Sequence, residues 1–199
     1  MFWDKVAGIY DVFADLYNAK AHERLCRQVE EMISEEDEIL ECACGTGMLT
    51  LRLAPRCRSI IATDLSSKML QKAQEKCRNY PNVRFECSDM CLDYKDGSFD
   101  KVIAANVIHL LDRPYEALGE LDRVCRRGGR LIIPTYVSLK AGGDQGVFSK
   151  MIGKAGASFK RQFSYELYRK FFEDAGYEEV SFFLAEGRVP CAIAVIVKV

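Results

Sequence analysis

Glu41, Asp64, Asp89 and Asn106 recur at intervals of about one strand plus one helix, each closing or following a short apolar run. Glu41 belongs to the stretch ILECACGTG, residues 39–47. An apolar run ends there in an acid and enters a turn built from Ala43, Gly45 and Gly47. Two glycines so close together let a backbone turn sharply and approach a ligand. A glycine turn between a buried strand and a helix is a nucleotide-type site. Asp64 lies 19 positions after Gly45, where a carboxylate can accept both vicinal hydroxyls of a ribose. Asp89 can accept from an exocyclic amine such as that of adenine, and Leu65 and Met90 offer apolar faces for the ring. Glu41, beneath the turn, suits backbone amides or a ligand ammonium.

The same residues argue against other nucleotide sites. A dinucleotide fingerprint wants G-x-G-x-x-G over a pyrophosphate. Here Thr50 stands at the third glycine position, and an acid under the turn repels a pyrophosphate. No G-x-x-x-x-G-K-[ST] occurs, which excludes a phosphate-cradling P-loop of that type. The nine cysteines include no CxxC pair, and His22 and His109 are the only histidines. No metal site is expected from such spacings. Scattered thiols of this kind read as buried and reduced, in a cytoplasmic protein.

These groups need a scaffold that brings them to one edge. Apolar runs at 38–42, 59–63, 83–87, 99–105 and 130–136 read as strands. Helical patterns lie between them near 46–54, 66–79 and 114–126, with Ser66 as an N-cap and Gly128–Gly129 as a helix stop. Such alternation implies a parallel sheet covered on both faces, with ligands at its carboxyl edge. A helix is expected at 4–33, carrying an aromatic stripe of Trp3, Tyr10, Phe13 and Tyr17. Another follows at 164–175. Strands near 178–184 and 190–198 have only residues 185–189 between them. So short a link permits only an antiparallel pair.

Taken together, residues 39–136 resemble a class I S-adenosylmethionine-dependent methyltransferase. They are most similar to the small-molecule branch that includes ubiquinone- and menaquinone-biosynthesis enzymes. The family's first motif matches residues 39–47, with Ala43 replacing its first glycine. Asp64 matches the acid of the second strand, and S-x-x-M-L-x-x-A matches residues 66–73. The D-M pair matches Asp89–Met90, FDKVIAANVIHLL matches residues 99–111, and L-x-R-V-x-R-x-G-G-R-L matches residues 121–131. The resemblance implies an α/β fold, a doubly wound seven-stranded, mostly parallel sheet. Its strand order would be 3-2-1-4-5-7-6, with the last strand antiparallel. It implies S-adenosyl-L-methionine as cofactor and S-adenosyl-L-homocysteine as product. The implied cofactor residues are Tyr10, Glu41, Ala43, Gly45, Gly47, Asp64, Leu65, Met69, Asp89, Met90 and Asn106. The whole chain reads as one methyltransferase domain, with residues 1–34 as a helical cap and 138–162 as a substrate lid.

The reaction implied is in-line displacement at a sulfonium methyl by a small-molecule acceptor. The protein must align the nucleophile and exclude water. His109, past the fourth strand, is a candidate base if the acceptor holds a proton, and it reads equally as a packing residue. Seven Lys/Arg against two acids between Lys140 and Lys170 hint at an anionic acceptor, as would a solvated lysine face. A net charge of −1 gives no global attraction to nucleic acid. No apolar stretch approaches a membrane span. Two rivals remain open at this point: a nicotinamide-dependent oxidoreductase and a non-catalytic cofactor-binding module of the same fold. Acceptor and oligomeric state are not legible.

Overall fold

A computed structural model describes residues 2–7, 10–90, 93–139 and 160–199, without the side chains of residues 2, 6 and 10–16. Eight strands form one sheet: β1 (Glu38–Cys42), β2 (Ser59–Asp64), β3 (Val83–Cys87), β4 (Phe99–Ala104), β5 (Cys125–Ser138), β6 (Phe163–Ser164), β7 (Ser181–Ala185) and β8 (Cys191–Val197). The order is β3-β2-β1-β4-β5-β8-β7, with the two-residue β6 paired beside the end of β5. β8 runs antiparallel to both of its neighbours, β5 and β7, and the other pairings among the described residues are parallel. Leaving out β6, this is the expected 3-2-1-4-5-7-6 order with a reversed last strand.

The central strands are apolar on both faces because both are covered. Leu40, Val102, Leu131 and Ile133 pack on one side with Leu118, Leu121, Tyr168 and Phe172. Their chain neighbours Ile39, Ile103 and Ile132 pack on the other with Leu25, Val29, Leu49 and Leu53. The first set meets helices α5 (Pro114–Val124) and α6 (Tyr165–Asp174). The second meets α2 (Tyr10–Glu30) and α3 (Met48–Leu53). Between β2 and β3 lies α4 (Ser67–Cys77), capped by the Ser66 hydroxyl, which accepts from Met69 N at 3.2 Å. No helix among the described residues is long and apolar enough to cross a membrane.

Three local expectations need correction. The N-terminal helical stretch is not one helix. It comprises α1 (Phe2–Val6) and α2, and α2 itself kinks at Asn18, whose φ/ψ of −136°/23° is non-helical. There the Asn18 side chain leaves the helix pattern to bond the backbone of Val189. Its Nδ2 donates to the carbonyl at 2.9 Å, and its Oδ1 accepts from the amide at 3.1 Å. Gly128–Gly129 does not stop a helix. The helix ends at Val124, and the pair lies inside β5, where the register with β4 shifts. A side chain at Gly129 would come within 2.8 Å of the Asp100 and Arg126 carbonyls. Finally, Cys87 is exposed. The other described cysteines are free thiols, six of them buried and Cys57 half-buried; Cys91 lies outside the described residues.

Candidate active site

β1 and β4 are neighbours, and β2 and β5 flank them, so the order of crossovers reverses between β1 and β4. A cavity of about 660 Å³ opens at the carboxyl ends of these strands. Its wall includes Glu41, Ala43 and Gly45 around the end of β1, Asp64 and Leu65 at the end of β2, Asp89 and Met90 past β3, and Asn106 past β4. Met69 joins from α4. Nine of the residues read from the sequence are thus gathered around one space.

Two of those nine have strained backbones. Ala43 (φ 54°) and Asn106 (φ 53°) are the only described non-glycine residues with positive φ. Left-handed backbone costs an L-residue roughly 1–2 kcal/mol, and such strain concentrates at functional sites. They stand just past the adjacent strands β1 and β4, on either side of the switch point. The glycine that Ala43 replaces would have been relaxed there.

The two glycines of the turn do different work. Gly45 (φ 57°) has open space where a side chain would begin, and it lines the cavity. Gly47 (φ 80°) does not line it. An added Cβ would stand 2.9 Å from Ala73 Cβ, so Gly47 allows α3 to start against α4.

Glu41 and Asp64 are held only by neutral donors. Glu41 is 2% exposed and accepts the Thr50 hydroxyl at 2.6 Å. Burial pushes its pKa up to about 7, with the neighbouring Asp64 adding to the shift. Thr50, the residue in place of the third glycine, is therefore Glu41's partner. Half-buried Asp64 accepts from Gly45 N at 2.9 Å and Ser66 N at 2.8 Å. Its pKa is also raised, mainly by desolvation. No Lys, Arg or His among the described residues forms an ion pair with either acid. Ser66 also ties the N-terminal segment down, its hydroxyl donating to Asp4 Oδ1 at 2.6 Å.

His109 is not on the cavity wall. It is 6% exposed within a short 3₁₀ turn (Ile108–Leu110), and burial alone drops its pKa to about 4. So acidic an imidazole is a poor base at neutral pH. Position past the strand located His109 in the chain, but the turn faces it inward. The side chain of Tyr10 lies outside the described residues. On the same N-terminal segment, Trp3 of α1 does line the cavity. Sequence reasoning also missed His22, Cys26, Arg52 and Tyr136 on the wall. Burial pushes the Cys26 and Cys42 thiols up to about 12, and that of Cys44 still further. They are protonated and unreactive at neutral pH, so the unusual Cys-Ala-Cys run serves as packing.

This geometry can be set against known proteins. Residues 40–133 match the family model described as a methyltransferase domain. Over that span the chain is similar to a methyltransferase domain. A malonyl-[acyl-carrier protein] O-methyltransferase of Paenibacillus sp. (strain JDR-2) is 33% identical over 141 residues, 65% of this chain and 51% of that protein. A demethylmenaquinone methyltransferase of Tropheryma whipplei (strain Twist) is 26% identical over 135 residues, 66% of this chain and 56% of that protein. The chain spans about half the length of these curated relatives. The solved DhpI–SAH complex superposes with a TM-score of 0.76 at 18% identity, over 99% of this chain and 94% of that one. The methyltransferase domain's matched span runs from β1 into β5, and so contains every cavity residue that follows β1 to β4.

Proposed function

We propose that this chain is an S-adenosylmethionine-dependent methyltransferase acting on a small-molecule acceptor by in-line displacement. The observation that carries the reading is the pair of acids at the carboxyl edge. Glu41 and Asp64 line one cavity and neither forms an ion pair among the described residues to balance its charge, the Arg52 side chain on the same wall being paired with Glu23 and Glu30. A zwitterionic, cationic ligand supplies that balance, and the open space over Gly45 leaves room for it. In this reading the Asp64 carboxylate, which accepts from the Gly45 and Ser66 amides, also accepts the ribose hydroxyls. Asp89, Met90 and Leu65 take the adenine. Ala43, Gly45, Met69 and Asn106 surround the methionine part, with Glu41 below it.

When bound, the cofactor supplies a sulfonium methyl open to nucleophilic attack. The chain's own task is to hold the acceptor in line and exclude water. Trp3 from α1 closes one side. Val107, Leu110 and Leu111 give the β4 side an apolar wall suited to a hydrophobic acceptor. The helical cap at 1–34 and the lid at 138–162 belong to the same single-domain reading. Tyr10's part and most of the lid fall outside the described residues.

Calorimetric titration with S-adenosylhomocysteine tests the proposal. Binding should occur, with no comparable binding of NADH. Binding of NADH with none of S-adenosylhomocysteine contradicts it.

A further inference from the structure

The cavity wall holds a hydrogen-bonded pair that the sequence did not suggest. His22 Nε2 and the Tyr136 hydroxyl stand 2.7 Å apart, although the residues are 114 positions apart in the chain. His22 comes from α2 and is 6% exposed, and Tyr136 comes from the carboxyl end of β5. Both line the cavity, as do Asn106 and the apolar Leu110 and Leu111. The sheet order places β5 on the opposite side of β1 from β2 and β3. Asp64 and Asp89 mark the β2–β3 side. The pair therefore sits at the other end of the cavity, where a second ligand would meet the first.

We propose that Tyr136 and His22 form the proton-accepting pair for the acceptor, and that the acceptor presents a phenol or enol hydroxyl. This rests on the methyltransferase reading above. With the imidazole proton on Nδ1, the Tyr136 hydroxyl donates to His22 Nε2, and a phenol oxygen that donates in this way can also accept an O–H. As the acceptor oxygen bonds the methyl carbon, its proton passes to the Tyr136 oxygen. The Tyr136 proton passes to His22 Nε2, and the carbon–sulfur bond electrons stay on sulfur. The result is a methyl ether, a neutral thioether and an imidazolium, so atoms and charge balance. Other titratable groups nearby are engaged or unsuited. Glu23, next to His22, pairs with Arg52 at 3.2 Å. Glu41 accepts from Thr50. His109, with its ring centroid 6.5 Å from that of Tyr136, is off the wall. An acceptor that is already ionised would need no such pair. The apolar Val107, Leu110 and Leu111 of the cavity wall favour the flat body of a phenol or enol over a sugar.

The probe is 4-nitrophenol, titrated into the protein's S-adenosylhomocysteine complex below the phenol's own titration midpoint. Absorbance reads the phenolate directly, without turnover. The wild-type complex should generate the phenolate band on binding. Tyr136→Phe and His22→Gln should bind S-adenosylhomocysteine as the wild type does but lose most of that band. Methyl transfer to 4-methylphenol, which stays protonated at neutral pH, should fall about 100-fold in both variants. Absence of the band in the wild type, or an undiminished band in both variants, overturns the pair. If S-adenosylhomocysteine does not bind the wild type, the cofactor reading fails instead, and the phenol titrated into the protein alone still reads the pair. Tyr136→Phe removes one oxygen and keeps the ring, so a folding defect in His22→Gln leaves the test standing.

Discussion

The two ends of the same strands treat acids in opposite ways. At the amino edge, Asp37, just before β1, is 4% exposed and pairs with Lys101 of β4 at 2.8 Å. Its other oxygen accepts from Ser34 N at 2.7 Å. Asp100, also at the start of β4, pairs with Arg126 and accepts Glu38 N at 2.8 Å. At the carboxyl edge, Glu41 and Asp64 have a hydroxyl and backbone amides only. A paired acid fastens neighbouring strands. An acid left with neutral donors pays for its desolvation through a raised pKa and stays available to a ligand. Backbone strain divides the same way, with Ala43 and Asn106 both at the carboxyl edge.

The largest effect should come from breaking the amino edge. Asp37→Ala leaves Lys101, 13% exposed, without its partner. It should cost about 3–5 kcal/mol of stability in urea denaturation, while affinity of the folded protein for S-adenosylhomocysteine stays unchanged. The contrast is lost if affinity collapses instead.

Next is Glu41, where the two edges differ in pH response. Its folded pKa of about 7 lies above the ordinary 4.5, so the folded state binds the proton more tightly than the unfolded chain. Stability is therefore fullest below pH 4.5 for this group, and falls as pH rises toward 7. The loss is on the order of 3 kcal/mol. Glu41→Gln keeps an acceptor for Thr50 and should flatten that slope in urea midpoints measured between those limits. It should also weaken S-adenosylhomocysteine binding at alkaline pH. An unchanged slope would show that Glu41 is not the group responsible.

The smallest effect concerns strain. Ala43→Gly relieves the left-handed residue but loosens the unfolded chain, and these nearly offset. A gain of about 0.5 kcal/mol is expected from thermal unfolding. A loss above 1 kcal/mol would mean that the Ala43 methyl packs usefully.

Much of this edge was legible because its signals are local. Strands at 38–42 and 83–87 stand where the apolar runs put them, and acids spaced by strand plus helix converge because the crossovers repeat. What escaped depends on distant partners. The Asn18 kink is imposed by Val189, and the close approach at Gly47 by Ala73. The His22–Tyr136 pair joins residues from opposite ends of the chain, and neither has a pattern around it. The inward turn of His109 is decided by how the 3₁₀ turn packs, since its carbonyl accepts from Lys160 N and Arg161 N, both at 3.1 Å.

The central claim is that the carboxyl-edge acids hold the cofactor while the amino-edge acids hold the sheet. Calorimetric titration of S-adenosylhomocysteine into Asp64→Ala and Asp37→Asn, side by side, tests it most directly. Asp64→Ala should lose about 1.5–3 kcal/mol of binding free energy, and Asp37→Asn should bind as the wild type does. Equal affinities in the wild type and Asp64→Ala, or equal losses in both variants, would contradict it.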